Sequence, residues 1–134
     1  MTAAEFADRV VGVPWVRWRN DWEGLDCWGL VTLFFRLVHG VDLGPVPQTD
    51  IGSGYSVAHH DWPECEAGDP RAAVFMAWRD GQPKHCGIVL PGGMLLHAEG
   101  DEDHGGSVRI TRLAALRRLY PDLRFHRYAG ARLC

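Results

Sequence analysis

Apolar positions recur at helical spacing near the N-terminus and alternate at strand spacing in the second half of the chain. Thr2 followed by Glu5 has the form of a capping box and predicts a short helix, with Phe6 and Val10 four apart on its inner face. Gly12 and Pro14 end it. Residues 13–25 read as a loop rich in Trp (Trp15, Trp18, Trp22), and Asp26 stands where an N-cap belongs. From Cys27 to His39 the chain is apolar on nearly every helical face, which predicts a buried helix, with Gly40 suited to its C-terminal cap. Residues 41–70 hold Pro45, Pro47, Pro63 and Pro70 with several Gly, the composition of a long surface connection; such a loop is often functional or mobile.

Beyond it, strands are predicted over 72–78, 85–90, 94–98, 107–111 and 123–128. Asp80-Gly81 and Pro91-Gly92-Gly93 supply turns, and an acidic loop spans 100–106. A short helix fits 113–119, stopped by Pro121. Helices followed by a meander of strands predict an α+β fold with an antiparallel sheet, as one domain over 1–134.

Composition narrows the function. With 134 residues, 46% of them apolar, the chain can bury a real core. A formal net charge of -3 offers nucleic acid no electrostatic footprint. Among the cysteines Cys27, Cys65, Cys86 and Cys134 no two are spaced C-x-x-C, which argues against a zinc ribbon or a thioredoxin motif. Their even number permits disulfides that a chain of this size does not need. Met1 to Val11 carries Glu5, Asp8 and Arg9, unlike a secretory signal, and no apolar run reaches the ~18 residues that suggest a membrane span. A substrate outside the cytoplasm therefore requires another means of delivery.

Cys27 is the leading chemical candidate. At the first turn of a helix, a thiol feels the positive end of the dipole and free N–H groups, and both favour thiolate. The alternative is a small core residue in an apolar helix. His85 opens one predicted strand and His97 ends the next. The turn at 91–93 makes these strands antiparallel neighbours, with residues near 86 opposite residues near 97. Side by side, one imidazole takes the thiol proton while the other fixes its tautomer; taken singly, each His also fits a structural role. Cys27, His85 and His97 together offer a third possibility, three zinc ligands with an open position. Cys86 alternates with His85 and is expected on the opposite side of the strand, not as a second nucleophile. His59, His60, Cys65 and His104 match no zinc spacing and read as solvated loop residues. Asp101, Glu102 and Asp103 read as a charged turn, Arg112, Arg117 and Arg118 as an exposed helix face, and Cys134 as an exposed thiol.

The runs "GLDCWGLV" at 24–31, "HCGIVL" at 85–90 and "LLHAEG" at 95–100 resemble, in order and spacing, the motifs of the NlpC/p60 cysteine peptidases. "AGDPRAAVFMAW" at 67–78 is similar to the strand that precedes the family's His motif. The resemblance extends from about Val11 to about Arg109. It implies a papain-like fold in which a Cys-bearing helix packs on an antiparallel sheet. It further implies Cys27 as nucleophile, His85 as base, His97 as orienting residue, no cofactor and no metal. The substrate implied is an amide bond in the peptides of bacterial peptidoglycan. Asp26 matches the family's Asp and either binds a substrate amine or caps the helix. Two positions depart from the pattern: Trp15 where a Tyr is usual, and Trp28 where a small Ser follows the Cys. Both are candidate substrate-binding residues.

The "DCWGLV" form looks most like the phage-tail and gene-transfer-agent branch. That likeness implies tail-tip proteins as partners and action on the cell wall from a particle. The competing expectation is a structural tail-tip protein of the same fold with little turnover.

Overall fold

The computed structural model describes residues 1–46 and 59–130. Helix α1, Ala3–Val10, opens with the predicted capping box: the Thr2 side chain accepts from the Glu5 N–H at 3.1 Å, and the Glu5 carboxylate accepts from the Thr2 N–H at 3.0 Å. Phe6 and Val10 are fully buried. Phe6 meets Phe34 edge-on, with ring centroids 5.2 Å apart, and so fastens α1 to the central helix. Full burial of such a side chain contributes about 1.5–3 kcal/mol, more than the roughly 1 kcal/mol of the cap, so packing holds α1 and the cap sets its start.

The stretch predicted as a Trp-rich loop is more ordered than expected. Asn20–Asp21 (β1) and Gly24–Leu25 (β2) form a small antiparallel hairpin. The Asp21 carboxylate makes the turn by accepting from the N–H groups of Glu23 and Gly24. Helix α2, Cys27–Phe34, follows directly and continues into a π-helical turn, Phe35–His39, which stops at Gly40.

The connection predicted over 41–70 lies partly outside the described residues, at 47–58, which include Pro47. Its end is structured: a 3₁₀ turn at His59–Asp61 leads into β3, Glu64–Cys65. Trp62 is buried against Phe35, Trp28 and Tyr128, which corrects the reading of this whole stretch as surface. An apolar indole flanked by polar residues gave no period to detect.

Strands β4 (Val74–Arg79), β5 (Gln82–Leu90), β6 (Met94–Asp101) and β7 (Gly105–Arg112) form the predicted meander. Asp80 and Gly81, at φ 53° and 71°, make the tight β4–β5 turn. Helix α3, Leu113–Leu119, has its predicted bounds. Strand β8, Asp122–His126, does not extend the meander beyond β7. It crosses back to pair with β4, and the sheet order is β3-β8-β4-β5-β6-β7. The sheet has two apolar faces. Val74, Met76, Cys86, Ile88, Leu96, Ala98 and Val108 pack with α1 and α2. Phe75, Ala77, Leu95 and Phe125 pack with Leu116 of α3 on the other face. Residues 12–15 run along β7, through hydrogen bonds between Gly12 and Val108, Val13 and Val108, and Trp15 and Gly106, and thereby shield a sheet edge.

Candidate active site

Asp26 begins α2 and sets where Cys27 stands. Its Oδ1 accepts from the Gly29 N–H and its Oδ2 from the Trp18 N–H, each at 2.7 Å. Both carboxylate oxygens are thus engaged in holding the helix start, the capping role, while burial lifts the carboxyl above its usual range. Trp18 presents its N–H from a left-handed backbone, φ 62°, which is uncommon for a bulky residue. Gly29 is required here by space: a Cβ would lie 1.9 Å from the Arg19 carbonyl oxygen. The hairpin before α2 therefore grips its first turn from two sides. Cys27 occupies the first helical position and stays partly exposed. Gly29 donates to Asp26 and Leu30 to the Asp26 carbonyl, which leaves the Cys27 and Trp28 N–H groups as the open donors of the turn.

Strands β5 and β6 pair from Leu90↔Met94 to Ile88↔Leu96. Beyond that the ladder stops, and the side chains of His85 and His97 bridge the space: His85 Nε2 lies 2.9 Å from His97 Nδ1. Gly87 lets them meet, since a Cβ there would come within 2.5 Å of the Leu96 carbonyl oxygen and 2.9 Å of His97 Cβ. A register shift, with Ala77 paired to His85 but Trp78 to Pro83, leaves Lys84 as an extra residue of β5 just before His85. His85 is 6% exposed and His97 fully buried.

The Cys27 thiol lies close enough to Cys86 and His85 for both to bear on its titration. Its pKa is held well below the ordinary thiol value, first by the bond from the Cys86 thiol, then by His85 and the Cys86 backbone, all opposing the cost of burial. Cys86 responds in the opposite sense: the Cys27 sulfur and burial push its pKa well up, so it remains a thiol and donates. Cys86 lies on the face opposite His85, as expected, and still bears on the site. Alternation did place it on the sheet face opposite His85, with Met76 and Ile88, but that is the face against which Cys27 packs.

Burial, the neighbouring His85 and the Arg109 cation lower the pKa of His97 to about 3, so it is neutral at working pH. Being neutral, His97 carries one ring proton: with Nε2 protonated it donates to Thr111 Oγ1 at 2.8 Å, and Nδ1, 2.9 Å from His85 Nε2, then accepts from the His85 Nε2–H. His85 Nδ1 is left for the sulfur. Cys27, His85 and His97 thus stand in line, closed by the Thr111 hydroxyl, an arrangement that can supply a nucleophile, a base and an orienting group.

Of the other predicted site residues, Trp15 packs over Gly100 on β6, where an added Cβ would meet its ring at 2.9 Å. Trp28 sets its ring edge-on to Trp62, with centroids 5.8 Å apart. Sequence reasoning missed Thr111, Glu99 and Tyr120. The Glu99 carboxylate is 3.8 Å from His97 Nδ1, and Tyr120 stacks on His85. Glu99 follows His97 by two on one strand, a spacing that places both on one face. Nothing local in the sequence announces Tyr120. Among the described residues no group of three or more His, Cys, Asp or Glu is arranged to hold a metal ion.

The model of the NlpC/P60 family matches residues 12–115. No curated protein sequence matches the chain. Among solved structures, the NlpC/p60 domain of the peptidoglycan hydrolase SagA is similar, with a TM-score of 0.59 and 25% identity over 91% of this chain and 93% of that one.

Proposed function

The chain belongs to the NlpC/P60 family, and from that premise we propose that it hydrolyses amide bonds in peptidoglycan peptides, with Cys27 as nucleophile, His85 as general base and His97 as orienting residue. The observation that carries this reading is the set Cys27–His85–His97, in which His85 lowers the pKa of the neighbouring Cys27 thiol and stands 2.9 Å from a second, neutral imidazole. The Cys27 thiolate attacks the amide carbonyl carbon, forming a C–S bond. Negative charge develops on the carbonyl oxygen, and the open Cys27 N–H at the helix start is placed to stabilise it. As the C–N bond breaks, His85 as imidazolium gives its proton to the leaving amine. Water then attacks the thioester, His85 takes its proton, and the thiolate departs with the acid product released. His97 accepts from the His85 Nε2–H throughout and keeps Nδ1 aimed at the sulfur.

Soluble muropeptides incubated with the protein should yield products cut at one stem-peptide amide, read by mass spectrometry. Cys27→Ala and His85→Ala should each lower turnover by at least about 10³-fold. Equal cleavage by wild type and Cys27→Ala would refute the assignment.

The finer part of the proposal concerns delivery. The "DCWGLV" form of the nucleophile motif, shared with the phage-tail and gene-transfer-agent branch, supports a hydrolase carried at the tip of a phage-like tail. Purified particles from the producing cells should contain the chain, and their Cys27→Ala counterparts should assemble but lose wall degradation. Particles that lack the chain contradict the tail assignment. Failed assembly without any hydrolysis by wild type favours a structural role instead.

A further inference from the structure

His85 needs more than one hydrogen bond to serve as a base. Its imidazole turns about a soft two-fold torsion, and a flip exchanges the nitrogen facing the sulfur for a carbon. On the β4 side its backbone pairs with Ala77, next to the register shift, but on the β6 side it lies past the last ladder pair, Ile88↔Leu96. His97 fixes one ring nitrogen but leaves the plane of the ring free to tilt.

Two aromatic rings supply what is missing. Phe75 meets His85 at an angle of 65°, with centroids 5.9 Å apart. Tyr120 stacks on it, at 22° and 5.8 Å. Tyr120 comes from a segment beyond residues 12–115, the part matched by the family model. It follows α3, which is anchored on the second face of the sheet by the fully buried Leu116. Arg79, at the end of β4, braces this position twice. Its guanidinium lies 4.4 Å over the Tyr120 ring and donates to the Leu119 carbonyl at 2.6 Å, satisfying an open acceptor at the helix C-terminus. Burial raises the Tyr120 phenol above its usual range, so the ring beside His85 stays neutral.

We propose that Tyr120, braced by Arg79, is a positioning residue that fixes the plane of His85 so that its free nitrogen stays on the Cys27 sulfur. The proposal rests on the reading of His85 as the base. Tyr120 touches no reacting atom; it acts through His85, and what matters is its ring rather than its hydroxyl.

The test compares wild type with Tyr120→Leu, Tyr120→Phe and Arg79→Gln in two readouts. One is the rate of Cys27 alkylation by iodoacetamide across pH, resolved from other thiols by peptide mass spectrometry. The other is kcat and KM on soluble muropeptides. Tyr120→Leu should lower kcat about tenfold with KM within about twofold, and should slow alkylation on the acid side. Tyr120→Phe should restore both, and Arg79→Gln should fall between. Tyr120→Leu within twofold of wild type in both readouts overturns the proposal, as does a Tyr120→Phe variant as impaired as Tyr120→Leu. Should Tyr120→Leu fail to fold in a thermal melt, the exposed Arg79→Gln decides, and no change in either readout overturns the brace. If wild type alkylates readily at Cys27 but cuts no muropeptide, the peptidase reading fails by itself and the alkylation series still judges Tyr120.

Discussion

Cys27 is where the chemistry of single residues converges. Cys86 and His85 both act on its thiol, and its pKa falls although it is packed against the sheet. The Cys86 thiol is the largest of these influences, which leads to a pH prediction. Hydrogen bonding to the thiolate stabilises the charged form and lowers the pKa, so Cys86→Val, which removes the donor, must raise it. The acid limb of kcat/KM and of Cys27 alkylation should then move to higher pH, with activity on the alkaline side little changed. An unmoved limb would show that the thiol contact does not tune the nucleophile. Cys27, His85 and His97 were visible in the sequence because Cys27 opens a helix of plain type and the two histidines lie on strands joined by a tight turn. The strands run past both, though, so His85 stands within Gln82–Leu90 and His97 within Met94–Asp101 and not at the predicted strand ends. Alternation along β5 gives the face of Cys86 correctly; what it does not give is that Cys27, carried on α2, packs against that same face.

Among the elements, α2 shows how closely the site depends on its frame. The hairpin over 20–25 and the first turn of α2 approach so closely that Gly29 faces the Arg19 carbonyl oxygen without room for a methyl group. Gly29→Ala forces backbone apart and should cost about 3 kcal/mol in urea unfolding, the upper end for an overpacked position. A loss below about 0.5 kcal/mol would mean that the hairpin yields freely. Helices α1, α2 and α3 and strands β4 to β7 were legible because capping residues, apolar periodicity and turn signals agreed over their lengths. The short β1, β2 and β3 were not, since two-residue strands carry no period. The return of β8 to the side of β4 was hidden too. Its pairing, Val74↔His126 through Trp78↔Asp122, joins residues far apart in the chain.

In the whole molecule, one sheet serves two masters. Its first face buries α1 and α2 and so brings Cys27 to the start of β5. Its second face buries α3 and brings Tyr120 to His85. Cys27 and the Tyr120 ring that stacks on His85 therefore arrive from opposite sides of one layer, and both packings must be intact for the sulfur and the imidazole to meet. That convergence is the central claim, and it is tested most directly by catching the covalent intermediate. Protein mixed with muropeptides, quenched in acid within the first turnovers and mapped by mass spectrometry should carry an acyl fragment as a thioester on Cys27, and none on Cys65 or Cys86. Hydrolysis without an adduct on Cys27, or with the adduct on another cysteine, would contradict the account.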